Sequence, residues 1–259
     1  MNILLSNDDG INAPGMAALI RSLIKKHTVF VVAPSTQKSS ISRAVSIGIP
    51  VLAEKRTLEA FPSVTAFAVD GTPVDCVRIA LGNLIHEQID LCMTGINYGY
   101  NIGTDTLYSG TAAAAIEAAT DGIPAIAFSL GLEAHGGYYD TAGEVALRMA
   151  DFYTRHPLPK GAFYNVNVPD IPFSELKGAR ITKLSDVPYD LKYIETEDEA
   201  GNRYYTAPWD KEPETDLNTD RSAVLQGYVA ISALIYDNEM NSLFGTVRQD
   251  ELDEIGGIG

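Results

Sequence analysis

Among 259 residues the chain has only two cysteines, one tryptophan and four histidines. Cys76 and Cys92 sit in the apolar contexts VDCVRIAL and IDLCMTG rather than in a CxxC pair, which excludes a disulfide framework and a zinc knuckle and predicts buried free thiols. The histidines, His27, His86, His135 and His156, are too scattered for a metal or catalytic constellation and read as surface or helix-end residues. Positive charge is also scarce. Lys and Arg number 19 against 34 Asp and Glu, a formal charge of -15, which argues against a nucleic-acid polymer or an anionic membrane surface as the main partner. Any phosphate ligand must therefore be held by local devices. No apolar run approaches the roughly 18 residues of a membrane span, and the opening lacks the three-part grammar of a signal peptide. A cytoplasmic location is the expectation.

What the chain does have is apolar content, 46% of residues, enough for the core of one large α/β domain. Ile3 to Leu5 reads as a short buried strand, Pro14 to Lys26 carries apolar residues at helical spacing, and Val29 to Ala33 is again an apolar strand. That is one βαβ unit, and a right-handed crossover makes its strands parallel. The pattern recurs as helix 73–85, strand 89–95, helix 109–122, strand 124–130, helix 139–156 and strand 162–169. The predicted fold is a Rossmann-like, doubly wound, mostly parallel sheet. Segments 44–56 and 64–73 alternate more like a small antiparallel flap than another crossover. Residues 1–170 are expected to form the catalytic core. In 171–259, an acidic, Tyr-rich stretch at 188–220 reads as a protruding antiparallel arm with EAGN as its turn, followed by a last core strand at 227–235 and a C-terminal helix.

The chemistry concentrates at predicted strand ends. The first strand runs straight into Asp8, Asp9 and Gly10; adjacent carboxylates repel, and Asn-Asp-Asp-Gly alone would make a solvated turn. In an open α/β sheet, however, ligands bind just outside the carboxyl ends of the strands. The second strand ends in APSTQKSSIS, bringing Ser39 and Ser40 to that edge, and the strand IDLCMTG ends in INYGYNIG, bringing Asn97. Two carboxylates, a hydroxyl and an amide form an all-oxygen set suited to Mg or Mn rather than zinc. Gly95, Gly99 and Gly103 then allow a loop to bend closely around something small, with Asn101 on the same loop. Ser109, Gly110 and Thr111 open an alanine-rich helix, whose unpaired N–H groups and dipole attract phosphate; simple capping by Ser109 is the plainer use of that residue. Asp70 and Asp75 flank a turn and the next helix start, where capping suffices.

The motifs LLSNDDG at 4–10, VVAP at 31–34 with its downstream serines, GTPVDCV at 71–77, TGINYGYNIG with YSGTAAAA in 94–115, YNVNVP at 164–169 and GYVAIS at 227–232 resemble the SurE family of survival-protein nucleotidases, in order and over nearly the whole chain. The resemblance implies a phosphatase acting on nucleoside 5'-monophosphates, in some members also on short polyphosphate, with one divalent metal ion per subunit. It implies metal ligands at Asp8, Asp9, Ser39 and Asn97, the catalytic group Asp8, Asp9 and Asn97, and substrate-binding positions at Asn101, Ser109, Gly110 and Thr111. It further implies a homodimer or homotetramer built through the C-terminal arm. The second loop departs from the family's common pattern at Ser35, Lys38 and Ser40, none of them a ligand position. Two other classes share such a crevice: a covalent aspartyl-phosphate phosphatase, whose paired acids stand at alternate rather than adjacent positions, and a non-enzymatic nucleotide-binding regulator.

Overall fold

The computed structural model describes residues 1–131, 137–187, 192–207 and 216–236. Its first βαβ unit is β1 (Asn2–Ser6), α1 (Pro14–Leu23) and β2 (Thr28–Pro34). The strands β3 (Ala53–Arg56) and β4 (Thr65–Val69) follow, then α2 (Pro73–Ile79), β5 (Leu91–Tyr98), α3 (Gly110–Thr120), β6 (Ala125–Leu130), α4 (Tyr139–Arg155) and β7 (Ala162–Val168). After β7 come β8 (Ala179–Ile181), the hairpin strands β9 (Ile194–Glu197) and β10 (Arg203–Thr206), α5 (Asp220–Leu225) and β11 (Val229–Ile235).

The main sheet has the order β3-β4-β2-β1-β5-β6-β7-β11-β8. From β4 to β7 every neighbouring pair is parallel, β3 and β11 join antiparallel, and β8 runs parallel to β11. The chain winds outward from β1 to β2 and β4, then returns to β5 on the other flank and winds away through β6 and β7. The order therefore reverses between β1 and β5, the place where open α/β sheets bind ligands. Alternation along β1 feeds two cores: Ile3 and Leu5 pack in the layer of α1 and α4, while Leu4 packs in the layer of α2 and α3.

Three local expectations are corrected. The segments at 44–56 and 64–73 make no separate flap. Residues 44–52 form no strand, β4 pairs parallel with β2 in the main sheet, and only β3 is antiparallel. The physical reason is that β2 would otherwise leave an apolar edge unpaired, and β4 covers it while burying Ala66, Ala68 and Val69. Helix α1 stops at Leu23, short of Lys26, and α2 gives way after Ile79 to a wide π turn over Ala80–Leu84 that contains Gly82. The predicted C-terminal helix lies outside the described residues.

The expected arm is present as β9 and β10, an antiparallel ladder separate from the main sheet, every residue of which is exposed. Its turn is organised by Asp198, which accepts from Ala200 N, Asn202 N, Asn202 Nδ2 and the Tyr204 hydroxyl at 2.9–3.0 Å; these bonds, that of the Asn202 side chain foremost, hold the carboxyl down at about 2. Both cysteines are free and buried; burial pushes the Cys76 thiol up and the Cys92 thiol up to about 12. Among the described residues no helix is long and apolar enough to cross a membrane.

Candidate active site

The β1 strand ends in a turn braced from inside. Asn7, fully buried, donates from Nδ2 to Gly10 O at 2.8 Å and accepts from Gly10 N at 3.1 Å, closing a ring beneath the two acids. Asp8 is 3% exposed and faces the start of α3, where Thr111 donates to it twice, from its backbone N–H at 3.1 Å and from its hydroxyl. The approach is close because α3 begins with small residues. A Cβ on Gly110 would stand 2.9 Å from both Cβ and Oδ2 of Asp8, so only glycine fits, and Ala112 to Ala115 press the helix into the sheet.

Burial pushes the Asp8 carboxyl up to about 6; the Asp9 charge adds to this, while the Thr111 bonds oppose it. Asp9, less buried, points the other way. Its Oδ2 accepts from Tyr98 N at 3.0 Å, and its Oδ1 lies 3.4 Å from Gln37 Nε2, which also donates to Ser39 Oγ at 3.0 Å. Burial raises the Asp9 carboxyl as well, against the opposing pull of the Tyr98 and Gln37 bonds. Asn97 precedes Tyr98 and commits its amide nitrogen to Gly99 O at 2.8 Å, so that Oδ1 is the atom this side chain could offer a cation. Of the expected residues, Asp9 and Ser39 are linked through Gln37, and the Tyr98 amide ties Asp9 to the end of β5, where Asn97 stands. Among the described residues no three His, Cys, Asp or Glu side chains gather as a metal cluster. A cation held at this crevice would therefore take two carboxylates and neutral oxygens.

The positions expected to bind phosphate are engaged within the protein. Ser109 caps α3, its Oγ accepting from Ala112 N at 3.0 Å, and the Thr111 side chain is fully buried against Asp8. Asn101 is 6% exposed and held from below: its N–H donates to Asn167 Oδ1 at 2.9 Å, its carbonyl accepts from Asn165 and Asn167, and its amide donates to Ser129 Oγ at 2.9 Å. Two residues on, Gly103 N donates to Asp220 Oδ2 at 2.9 Å. Sequence reasoning missed these supporting residues, Gln37, Ser129, Asn165, Asn167 and Asp220. The alternating asparagines of YNVNVP, on a strand otherwise apolar enough for a core, were the signal available for two of them.

Tyr139 is the first residue of α4. Its hydroxyl is pushed up to about 12 by burial and by the charges of Asp9, Tyr98 and Asp170. Of the acids expected to cap, Asp75 does so and Asp70 does not. Asp75 and Thr72 form a reciprocal capping box on α2, Asp70 is exposed, and His156 ends α4.

The fold and the crevice together define a doubly wound α/β protein with a paired-carboxylate, oxygen-lined site at the point where its strand order reverses. A family model, survival protein SurE, matches residues 3–190. The chain belongs to the SurE family. It is 40% identical over 238 residues to the 5'-nucleotidase SurE of Geobacter sulfurreducens, covering 92% of this chain and 88% of that protein. It is 36% identical over 235 residues to the 5'-nucleotidase SurE of Thermosipho melanesiensis, covering 90% of this chain and 91% of the relative. The crystal structure of the SurE protein from Aquifex aeolicus superposes with a TM-score of 0.84 at 29% identity, covering 97% of this chain and all of that one.

Proposed function

We propose that this protein is a divalent-metal-dependent phosphomonoesterase that hydrolyses nucleoside 5'-monophosphates to nucleoside and phosphate. The relatives' 5'-nucleotidase names support the reaction class. The observation that carries the metal reading is Asp8, a carboxyl buried to 3% exposure beside a second acid and raised to about 6. A carboxylate pair this costly to ionise is relieved when a dication sits between the two, and the surrounding oxygens of Ser39 and Asn97 suit Mg or Mn.

Asp8, Asp9, Ser39 and Asn97 would hold the ion, which when bound polarises a phosphoryl oxygen and acidifies a water. The chain's own residues supply the rest. The N-terminal end of α3 turns its positive dipole end toward developing phosphoryl charge, and the Asn101 loop, latched from β6 and β7, keeps its position as that charge grows. Asp8 or Asp9 accepts the proton of the attacking water. Thr111 keeps Asp8 oriented by donating to it. No residue is modified, because the adjacent acids act as ligands and base rather than as a nucleophile. The exposed β9–β10 arm, too small a ladder to be stable alone in water, is assigned to homodimer or homotetramer assembly. Short polyphosphate is a further substrate on this reading, nucleic-acid polymers and membranes are not partners, and the location is cytoplasmic.

The test is a phosphate-release screen over nucleoside 5'-monophosphates and tripolyphosphate with Mg, Mn or chelator. Metal-dependent release from monophosphates supports the reading, and binding without release would replace it with a nucleotide-binding regulator. Trapping of a covalently modified Asp would replace it with aspartyl-phosphate chemistry.

A further inference from the structure

Ser39 lies on an irregular stretch between β2 and β3, and its Oγ accepts from Gln37, itself on the same loop. On its near side the loop is held by Lys38, whose N–H donates to Asp8 O at 2.6 Å. Immediately after Ser39, however, Ser40 and Ser42 both adopt left-handed backbone conformations, with φ of 57° and 54°, which non-glycine residues hold only when neighbouring contacts enforce them. The enforcing contacts fall within Ser42 to Ser46. Ser42 donates from N and Oγ to the carbonyls of Tyr108 and Leu107 at 2.9 and 2.7 Å. Arg43 donates from Nε and Nη2 to a single oxygen of Glu117 at 3.1 and 2.7 Å, and from Nη2 to Thr120 at 3.3 Å. Ala44 O accepts from Thr72 at 2.8 Å, and Ser46 donates twice to Asp75.

This five-residue strap ties the loop to the segment before α3, to α3 itself and to the cap of α2. Its strongest link is ionic and shielded: the Glu117 side chain is 8% exposed and that of Arg43 28%. Glu117 stands two turns along the same helix whose first residues touch Asp8. One rigid helix therefore fixes both Asp8, through Thr111, and the Ser39 loop, through Glu117.

We infer that Arg43 is a positioning residue for the metal site: by docking on Glu117 it sets Ser39 at a fixed distance from Asp8 and Asp9, so that the ligand set is assembled before a cation arrives. The inference rests on the reading of Ser39 as a ligand. Side chains that orient ligands, without touching the metal, are worth on the order of 10- to 100-fold in metal affinity. Arg43→Ala is expected to lie near the lower end of that range, because the Lys38, Ser42 and Ser46 bonds remain.

The experiment is calorimetric titration of Mn into chelator-stripped protein, which reads affinity independently of turnover, with thermal unfolding of the metal-free form alongside. Arg43→Ala should weaken Mn binding about 10-fold, Glu117→Gln should weaken it in the same direction, and Arg43→Lys, which keeps the charge but loses the fork, should recover part of the loss. Ser39→Ala serves as the reference. If Ser39→Ala binds Mn weakly while Arg43→Ala binds with parent affinity, the strap inference is overturned and the ligand reading stands. If Ser39→Ala itself binds with parent affinity, the ligand reading falls and the strap's role falls with it. Should Arg43→Ala fail to fold, Glu117→Gln decides the question, since it preserves shape and a hydrogen-bonding oxygen.

Discussion

The charge on Asp8 can be weighed directly. A carboxyl that titrates near 6 in the folded protein and at 3.8 unfolded makes the ionised native state less stable by about 3 kcal/mol. The sign follows from proton binding: the native state holds its proton more tightly than the unfolded chain. The associated stability is full below 3.8 and is lost as pH rises through about 6. Asp8→Asn removes the charge while keeping an oxygen to accept from Thr111 N–H; the Thr111 hydroxyl must turn to accept from the new amide, which gives back part of the gain. In chelator at pH 8 the variant should therefore be more stable than the parent by about 1–3 kcal/mol, roughly 3–8 °C in Tm for a domain of this size. At pH 5, between the two values, the unfolded carboxyl is already ionised and about half of the penalty remains, so the difference should shrink by about 1.5 kcal/mol and close only below 3.8. Saturating Mn should reverse the ranking, because the parent gains stability by mass action and the variant loses a ligand. The assay is thermal and urea unfolding at both pH values, with and without Mn. A variant no more stable than its parent at pH 8 in chelator would show that the protein already compensates the Asp8 charge, and the electrostatic case for a cation there would fail.

Phosphatase activity should vanish in chelator and return on adding Mn or Mg; turnover that survives exhaustive chelation contradicts the ligand set. Gly110→Ala forces a Cβ to 2.9 Å from Asp8 and should cut kcat at least 10-fold with a loss of about 1–3 kcal/mol in stability, read by steady-state kinetics and urea unfolding. Unchanged kinetics would mean that α3 can retreat from Asp8 at no cost. Asn167→Ala leaves Asn101 N–H without its acceptor and should cost about 1–3 kcal/mol, with kcat falling more than KM rises. Equal effects on KM alone would assign the latch to binding and not to the reacting geometry. Deleting Tyr189 to Pro213 should lower the mass measured by light scattering, and an unchanged mass would remove the arm from assembly.

The parts of the fold legible in the sequence are those set by local periodicity. VFVVA could only be a buried strand, the periodic 14–26 stretch only an amphipathic helix, if one that ends three residues early, and their alternation implies parallel pairing by crossover handedness alone. Asp8 and Asp9 were legible for the same reason, as polar residues at a strand end. Pairing partners chosen at long range were not. Whether VTAFAV pairs with β2 or folds back on its own depends on which edge needs covering, and nothing in its six residues says so. The site shows the same division. Ser109 and Thr111 are readable as a helix start, but the commitment of Thr111 to Asp8 spans 103 residues of sequence and appears only when α3 is laid against β1. Gln37 and Arg43, polar residues in a polar loop, carry no local mark of their partners.

The latch beneath the Asn101 loop also sets an order of assembly during synthesis. Asp8, Asp9, Ser39, Asn97 and the start of α3 have all left the ribosome well before Asn165 and Asn167, which clamp Asn101 from 64 and 66 residues downstream. Asp220, which holds Gly103, follows 117 residues after its partner. A nascent chain that has emerged only as far as β6 carries every proposed ligand but has no floor under the loop beside them. That loop gains its floor when β7 enters the sheet and, among the described residues, its last brace when α5 docks, so that its fixed shape follows completion of the sheet rather than the appearance of the acids.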